Sequence, residues 1–396
     1  MGSVNSSDAS IPTTATSSVT ASRTRAPVLL RPRNFQWYWN SSSNPWSSSS
    51  SVEPDNWQKY SDIENEVIED AFNEKKEEVE LDVNYVVSLE HQVQYHNTDK
   101  TRQRPIKRVQ LKTDRSNVHL RDDRFAVPVT LATMTTATTS KTKEEKVLED
   151  LRTRGDLLRA YDKLVLREKN INFADILEDA AGGILVEGAK IGKEREAQWL
   201  AKQLLDVKHF SQDQRVNQFS IPQPIGETCV YLYTKESFWY KLLNSCLRNH
   251  QTMTLEQVKT LGPFCWLLRW YINKHTAEGK FAVYRGLNLT DEQRKEFMKE
   301  RDYWNPIKFT SFTSTSGNRK LAERFGNTLL IFDLKVKSKL MQSEYVEPGM
   351  DVSHLSDFPN EEEYTMPPGS QFHFIRSEYD NETKKHIIHL EAEEWQ

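Results

Sequence analysis

The residue pattern changes near residue 281, and this change restricts the fold more than any other feature of the chain. Before it, SFWYKLLNSCLRNH (237–250) and TLEQVKTLGPFCWLLRWYINK (254–274) carry apolar residues three and four positions apart, as amphipathic helices do. After it, segments such as FTSFTSTS (309–316) and KHIIHLEAEE (385–394) alternate or run apolar between Gly, Pro and Asn residues, as strands do. Helices followed by strands predict an α+β domain in this part of the chain.

A Thr-rich stretch, VPVTLATMTTATTSKTK (127–143), separates this part from an aromatic first part. With 396 residues, of which 37% are hydrophobic, the chain can form two or three domains with cores of their own. We predict five consecutive segments: a disordered tail (1–28), a first domain (29–112), a Thr-rich linker (113–142), a helical region (143–215) and a second domain (216–396).

Charge and cysteine content restrict the class of protein. The 53 Lys and Arg residues and 57 Asp and Glu residues leave a net charge of −4, so bulk attraction to nucleic acid is not expected. Cys229, Cys246 and Cys265 cannot all pair with one another, which favours a reducing compartment. The longest apolar run (261–272) is too short to cross a bilayer, and the N-terminal residues lack the apolar core of a signal peptide. We therefore expect a soluble intracellular protein, cytoplasmic or nuclear, although residues 1–6 match the short N-myristoylation pattern.

Two motifs in the second domain carry polar groups on strand-like segments. Arg285 and Gly286 follow FAVY, and a guanidinium beside a glycine suits a phosphate, because its donors form a fork and the backbone can approach closely. The hydroxyl-rich segment from Ser311 to Ser316 could hold a sugar or a carboxylate. Taken alone, the first also fits a surface ion pair and the second a polar edge strand.

The third motif is the acidic triple Glu361-Glu362-Glu363, which precedes the turn at Pro367-Pro368-Gly369. If this segment is extended, Glu361 and Glu363 face the same side. Two carboxylates on one side repel, which raises the pKa of one and leaves the other anionic. Such a pair suits the stabilisation of a sugar cation and the handling of a proton nearby, whereas the triple by itself also fits a solvated loop.

In this order, YRGL, FTSTS and EEEYTMPP resemble the Arg–Ser–Glu signature of the arginine-specific mono-ADP-ribosyltransferase family, in its Glu-x-Glu form. The resemblance covers roughly residues 216–396, and YLYTKESFWYKLLN (231–244) is similar to the family's helical part. It implies helices followed by a β-sandwich-like core around an NAD cleft. It also implies NAD as the co-substrate, with NADP possible, and no metal.

The resemblance assigns roles to five residues. Arg285 would hold the pyrophosphate side of NAD, the backbone of Gly286 the nicotinamide amide, and Ser314 the nicotinamide ribose. Glu363 would bind the ribose 2′-hydroxyl and stabilise the oxocarbenium ion as nicotinamide leaves. Glu361 would orient the acceptor guanidinium and help to deprotonate it, which favours arginine as the acceptor because a protonated guanidinium is a poor nucleophile.

Phe325, in AERFG, would stack on the nicotinamide ring. Two other functions fit the same fold. The first is an NAD glycohydrolase, with water as the acceptor. The second is a non-catalytic ADP-ribose-binding protein, against which the intact Arg285, Ser314 and Glu363 argue.

The first part of the chain resembles a WWE domain, a half-barrel-like sheet with one helix. FQWYW (35–39), the WQKY that starts at Trp57, IEDAF (68–72) and RPIKR (104–108) carry this resemblance, which places the namesake residues at Trp37, Trp57 and Glu69. In WWE domains that bind poly(ADP-ribose), an aromatic and basic pocket holds iso-ADP-ribose. The matching positions are Trp39, Tyr85, Gln94 and Arg104, with Lys107 and Arg108 as further candidates.

An aromatic face suits adenine, and guanidinium donors suit a pyrophosphate. Trp37 and Trp57 also fit a purely structural role in the core, and the basic cluster also fits nuclear import or RNA binding. The expected partners are therefore NAD, arginine-containing acceptor proteins and poly(ADP-ribose)-modified proteins, with neither a membrane nor direct nucleic-acid binding.

Overall fold

The computed structural model describes residues 25–31, 34–46, 56–111, 121, 124, 142–167, 171–211, 221–275, 282–299, 306–334 and 349–392. The disordered tail predicted over 1–28 lies outside these residues up to position 24, and the linker predicted over 113–142 lies outside them except for positions 121, 124 and 142.

The described residues of the first domain form a six-stranded antiparallel sheet and one α-helix. In chain order its elements are β1 (Phe35–Asn40), β2 (Trp57–Lys59), α1 (Asp62–Asn73), β3 (Glu78–Glu80), β4 (Tyr85–Ser88), β5 (Val93–His96) and β6 (Asp99–Gln110). The strands lie in the order β2-β1-β6-β5-β4-β3. Strands β4 and β5 form a hairpin, and Gln92 in the turn between them has a φ of 53°.

Helix α1 begins with a capping box, in which Ser61 accepts from the Glu64 amide and the Glu64 side chain accepts from the Ser61 amide. Its apolar residues Ile63 and Ile68 are fully buried. The predicted helix therefore forms, with one face against protein.

The described residues between 143 and 274 are mostly helical, as the periodicity predicts. Its helices are α2 (Lys143–Arg154), α3 (Leu157–Tyr161), α4 (Phe173–Lys190), α5 (Glu194–Asp206), α6 (Gln223–Thr234), α7 (Phe238–Arg248) and α8 (Leu255–Lys274). Thr254 and Gln257 form a capping box at the start of α8. Residues from all of these helices share one hydrophobic core, so the region 143–215 packs together with the helices that follow it. None of the helices in the described ranges combines the length and apolar character needed to cross a lipid bilayer.

In the last part, the residues that the structure describes form an eight-stranded mixed sheet. Its strands are β7 (Ala282–Leu287), β8 (Ile307–Lys308), β9 (Thr313–Ser316), β10 (Thr328–Asp333), β11 (Met350–Asp351), β12 (Glu363–Met366), β13 (Gln371–Asp380) and β14 (Lys385–Ala392), with the helices α9 (Asp291–Met298) and α10 (Arg319–Ala322). The order is β11-β12-β9-β7-β10-β14-β13-β8. Strands β9 and β7 are joined by one residue pair, Tyr284 with Ser316, so a group of three strands adjoins a group of five. The α+β prediction is confirmed for both parts of the chain.

The first domain packs on the helices through one acidic stripe of α1. Asp62, Glu66 and Asp70 are spaced four apart and therefore lie on one face of the helix. Asp62 accepts from the Glu236 amide (2.9 Å), and Glu66 contacts the Lys235 ammonium (2.6 Å). Asp70 accepts from the Trp199 indole (3.1 Å).

Two further contacts fix this arrangement. The Asp82 carboxylate accepts from the amides of Arg195 (2.7 Å) and Glu196 (3.2 Å), and so it caps the N-terminus of α5 from the first domain. The short 3-10 helix Pro27–Leu30 packs against α6, with Ala26 and Val28 buried in the helical core. The predicted tail was therefore too long at its C-terminal end, because these apolar residues are buried.

Candidate active site

The sheet order brings the three predicted motifs together. Arg285 lies on β7, Ser314 on β9 and Glu363 on β12, and these strands are consecutive in the sheet although 78 positions separate the first residue from the last. Glu363 lies opposite Ser316, and Ser314 lies opposite Thr365. All three residues are buried, at the junction between the two groups of strands.

The acidic triple forms a tight turn, and the extended geometry considered for it is wrong. Glu361 ends the 3-10 helix Pro359–Glu361, and Glu362 adopts a left-handed conformation (φ 44°, ψ 46°) before β12 begins at Glu363. The turn exposes Glu362 and buries Glu361 and Glu363 completely. The Ser316 hydroxyl donates to the Glu361 carbonyl (2.7 Å) and so fixes the turn to β9.

Two arginines from the predicted linker contact these acids, and no local pattern in the sequence pointed to them. Arg121 donates from its backbone amide and from Nε to the Glu361 carboxylate (3.2 Å and 3.1 Å), and its Nη2 contacts both Glu361 and Glu363. Arg124 donates from Nε to the Glu363 carboxylate (2.8 Å). Each predicted acid therefore has a guanidinium partner from a distant part of the chain.

The surroundings of both guanidinium groups are suited to cations. The C-terminal carbonyls of α6 accept from them, Thr234 from Arg121 and Tyr233 from Arg124, where a helix has unpaired carbonyls and partial negative charge. The rings of Tyr233 and Tyr240 lie 4.7 Å and 4.3 Å from the Arg124 guanidinium carbon. Carboxylates, carbonyls and aromatic faces thus enclose a site for positive charge.

The charge state of Glu363 follows from this environment. Burial by itself raises the pKa of the carboxyl group, but Arg124, Arg121 and the nearby Ser314 hydroxyl outweigh burial and hold the pKa below its usual value. Glu363 is therefore anionic at neutral pH, as the stabilisation of a cation requires.

Arg285 is 4% exposed and points into the same site. Its Nη1 donates to the carbonyl oxygens of Ser314 and of Arg124 (3.3 Å to the latter). Burial lowers the pKa of Arg285 to about 10, with nearby Tyr240 and Tyr233 opposing the shift and Arg248 and Arg124 adding to it. The guanidinium remains charged at neutral pH.

The two other predicted NAD contacts, Gly286 on β7 and Phe325, lie close to each other. A side chain at Gly286 would place its Cβ 2.0 Å from the Ala322 carbonyl and 2.6 Å from the Phe325 carbonyl, so only glycine fits there. Phe325 is 5% exposed, and its backbone carbonyl accepts from Lys385 (3.1 Å). The packing explains Gly286 structurally.

The four residues of the first domain that are predicted to bind ADP-ribose lie on one face of its sheet. Gln94 on β5 lies opposite Val87 on β4 and opposite Arg104 on β6, and Val87 is two positions from Tyr85. Trp39 on β1 lies opposite Ile106, which is two positions from Arg104. Paired residues, and residues two positions apart on one strand, lie on the same face of a sheet. The Arg104 guanidinium lies 5.7 Å from the Trp39 ring. Gln94 is 6% exposed and accepts from the Tyr60 hydroxyl (2.7 Å).

The namesake residues divide into a structural pair and a surface residue. The Glu69 carboxylate accepts from the Trp37 indole (2.9 Å) and from Arg108 (2.9 Å) and so ties α1 to β1 and β6. Trp57 lies on the opposite face of the sheet, where the Lys107 ammonium is 4.1 Å from its ring. The structure therefore does not bring Lys107 to the face that carries Trp39, and Arg108 is engaged by Glu69.

The described residues bring no three His, Cys, Asp or Glu side chains together as metal ligands.

Comparisons with known proteins identify both parts of the chain. A family model described as NAD:arginine ADP-ribosyltransferase matches residues 193–395, which includes α5 and begins ahead of the boundary predicted at 216. A WWE-domain model matches residues 35–108. A search of curated proteins found no match to this chain.

Similar solved structures include three bacterial proteins. The ADP-ribosyltransferase HopU1 of Pseudomonas syringae pv. tomato DC3000 is 16% identical, with a TM-score of 0.36, over 64% of this chain and 99% of its own. The type III effector XopAI of Xanthomonas axonopodis pv. citri is 14% identical, with a TM-score of 0.40, over 65% of this chain and 95% of its own. Exoenzyme S of Pseudomonas aeruginosa is 18% identical, with a TM-score of 0.34, over 54% of this chain and 88% of its own.

The family match extends over more than half of the chain and contains all three motifs that meet at the buried acids. The chain belongs to the NAD:arginine ADP-ribosyltransferase family and carries a WWE domain ahead of the transferase domain.

Proposed function

We propose that this protein transfers ADP-ribose from NAD to arginine side chains of other proteins. One observation carries the choice of arginine. The Arg121 guanidinium contacts both Glu361 and Glu363, so the site accommodates a guanidinium between its two buried acids. The family supplies NAD as the donor.

In the proposed reaction, Glu363 stabilises the positive charge that develops on the ribose as its bond to nicotinamide breaks. Nicotinamide leaves with the bonding electron pair and is neutral once released. A buried carboxylate whose pKa is held low is anionic and needs no rearrangement to do this. Ser314, whose hydroxyl lies near the Glu363 carboxylate, positions the nicotinamide ribose.

Glu361 acts on the acceptor. A guanidinium Nη of the acceptor forms a bond to ribose C1′ and loses one proton, which passes to the Glu361 carboxylate and then to solvent. Free arginine has a pKa above about 12, so a carboxylate at this position is needed to take the proton as the bond forms. Arg285 binds the pyrophosphate of NAD, and Phe325 and the backbone of Gly286 contact nicotinamide.

The test uses NAD labelled in the ADP-ribose part, with agmatine or an arginine-rich protein as acceptor. We expect label on the acceptor from the wild-type chain. Glu361→Gln should reduce transfer about 100-fold while NAD cleavage continues, because only the acceptor side loses its base. Glu362→Gln is the matched control, since the neighbouring carboxylate is exposed.

Two results would contradict this function. Release of free ADP-ribose at a rate that acceptor does not change would indicate a glycohydrolase. Equal loss of cleavage and transfer in Glu361→Gln would place Glu361 on the NAD side of the reaction.

For the WWE domain, we propose that the face carrying Trp39, Tyr85, Gln94 and Arg104 binds ADP-ribose units and recruits modified proteins. The shared face and the nearness of Arg104 to the Trp39 ring support this. Calorimetry of the full-length chain with iso-ADP-ribose should lose its heat in Arg104→Ala and keep it in Lys107→Ala, which alters the opposite face. Equal loss in both variants would contradict binding at this face.

A further inference from the structure

The contacts of Arg121 and Arg124 include three of the six residues to which the proposed reaction gives a role. Arg121 contacts Glu361 and Glu363, and Arg124 contacts Glu363. The backbone carbonyl of Arg124 accepts from Arg285. The two acids and the arginine proposed to face NAD and the acceptor are thus engaged by two residues of the chain itself.

The positions of the two arginines match the two cations that the reaction brings together. NAD contributes a planar pyridinium and then a cationic ribose near Glu363, and the acceptor contributes a guanidinium near Glu361. Arg124 presents a planar cation to Glu363 and packs against the rings of Tyr233 and Tyr240. Arg121 presents a guanidinium to Glu361.

The two buried carboxylates need two positive charges nearby, and either the substrates or the arginine pair can supply them. Two fully buried carboxylates without cations would repel each other and would be costly to keep ionised. Substrates supply two cations when bound, and the arginine pair supplies two when they are absent. Since both sets require the same acids, they compete.

We infer that Arg121 and Arg124 form an internal substrate mimic that competes with NAD and the acceptor arginine and so lowers the activity of the free enzyme. This inference rests on the proposed function, and it adds to it a regulation of the same site. Only the enzyme molecules in which the arginine pair has left the acids can bind NAD. The apparent affinity for NAD is therefore the intrinsic affinity multiplied by the fraction of such molecules.

The test compares the full-length wild type with Arg121→Ala/Arg124→Ala and with Arg121→Gln/Arg124→Gln, in which glutamine keeps donors but not charge. The control is Arg159→Ala/Arg167→Ala, which removes two arginines whose side chains are 51% and 71% exposed. We expect KM for NAD to fall about tenfold in the first two variants and to stay unchanged in the control. Among single variants, Arg124→Ala should chiefly lower KM for NAD, and Arg121→Ala should chiefly lower KM for agmatine.

A peptide with the sequence of residues 113–130 gives a second measurement. Added to Arg121→Ala/Arg124→Ala, it should inhibit NAD cleavage competitively with NAD, and the same peptide with both arginines replaced by alanine should not. Inhibition by both peptides alike would overturn the inference. If neither double variant folds, as circular dichroism would show, the arginines are structural and the inference is also overturned.

The outcomes separate this inference from the proposed function. Equal KM for NAD in the wild type and both double variants, with activity that Glu363→Gln abolishes, would overturn the mimic and leave the function standing. If no variant cleaves NAD, calorimetry with carba-NAD decides. If carba-NAD binds the double variants more tightly than the wild type, the substrate mimic is supported even though the proposed reaction is not. If carba-NAD binds them equally or not at all, the substrate mimic is overturned.

Discussion

Two buried ionic clusters join distant parts of this chain, and in each of them two carboxylates are paired with one or two cations. At the domain contact, Lys235 lies between Glu66 of α1 and Asp357 (2.6 Å and 2.5 Å). At the candidate active site, Arg121 and Arg124 lie against Glu361 and Glu363. The first cluster unites the WWE domain with the transferase domain, and the second fills the site where the motifs meet.

The difference lies in what can replace the cations. Nothing in the proposed reaction brings a cation to Glu66 or Asp357, so Lys235 is needed whenever the domains are in contact. NAD and an acceptor arginine do bring cations to Glu363 and Glu361. The same physical device, a buried ion pair, is therefore structural in one place and, in our proposal, exchangeable in the other.

The largest effect is expected when the cluster around Lys235 loses its cation. Lys235→Met leaves two carboxylates without their cation in a buried contact, so we expect the free energy of unfolding to fall by about 3–5 kcal/mol. Urea unfolding measures it. Lys241→Met, which removes a half-exposed partner of Glu236, should cost about 1 kcal/mol or less. Similar losses in both variants would remove the distinction between the clusters.

The second prediction breaks the chemistry of the site. Glu363→Gln keeps the shape of the side chain and removes its charge, so both NAD cleavage and transfer should fall about 1000-fold, equivalent to about 4 kcal/mol in the barrier. Radiolabelled NAD measures both rates, and Glu362→Gln serves as the control. Wild-type rates in Glu363→Gln would exclude this residue from the reaction.

A smaller effect sharpens the account of the domain contact. Asp82→Ala removes the acceptor that caps α5 from the WWE domain, and we expect a loss of about 1 kcal/mol in unfolding free energy. Asp82→Asn should lose less, because an amide oxygen still accepts. If the alanine variant is as stable as the wild type, the cap does not contribute to docking.

The last prediction concerns pH. Because the pKa of Glu363 is lower in the folded protein than its usual value, the Glu363–Arg124 pair contributes its full stability above the usual carboxyl pKa of about 4.3 and loses it as pH falls through the lowered pKa. In Arg121→Ala/Arg124→Ala, burial dominates and raises the pKa of Glu363, so NAD cleavage should decline at a higher pH than in the wild type. Coinciding acid limbs in the two pH–rate profiles would show that the arginines do not set this pKa.

The helices and the cap of α8 could be predicted from sequence because they depend on neighbours within a few positions. Thr254 and Gln257 lie three residues apart, so the side chain of each can bond to the backbone amide of the other in any helix that starts there. Glu361 and Glu363 were also within reach, although their shared burial depends on the left-handed Glu362 between them. Arg121 and Arg124 were out of reach, since their partners lie about 240 positions away.

The sequence by itself determined which functional side chains the chain contains and in which order its motifs follow, because both depend only on residue types and their spacing along the chain. Only the tertiary structure decided that Arg285, Ser314 and Glu363 meet, since the order of strands in the sheet, and not the distance along the chain, makes β7, β9 and β12 neighbours. It also decided that two arginines ahead of the helices neutralise the acids of the last sheet. Burial makes that pairing necessary, because a carboxylate removed from water needs a cation wherever in the chain the cation originates.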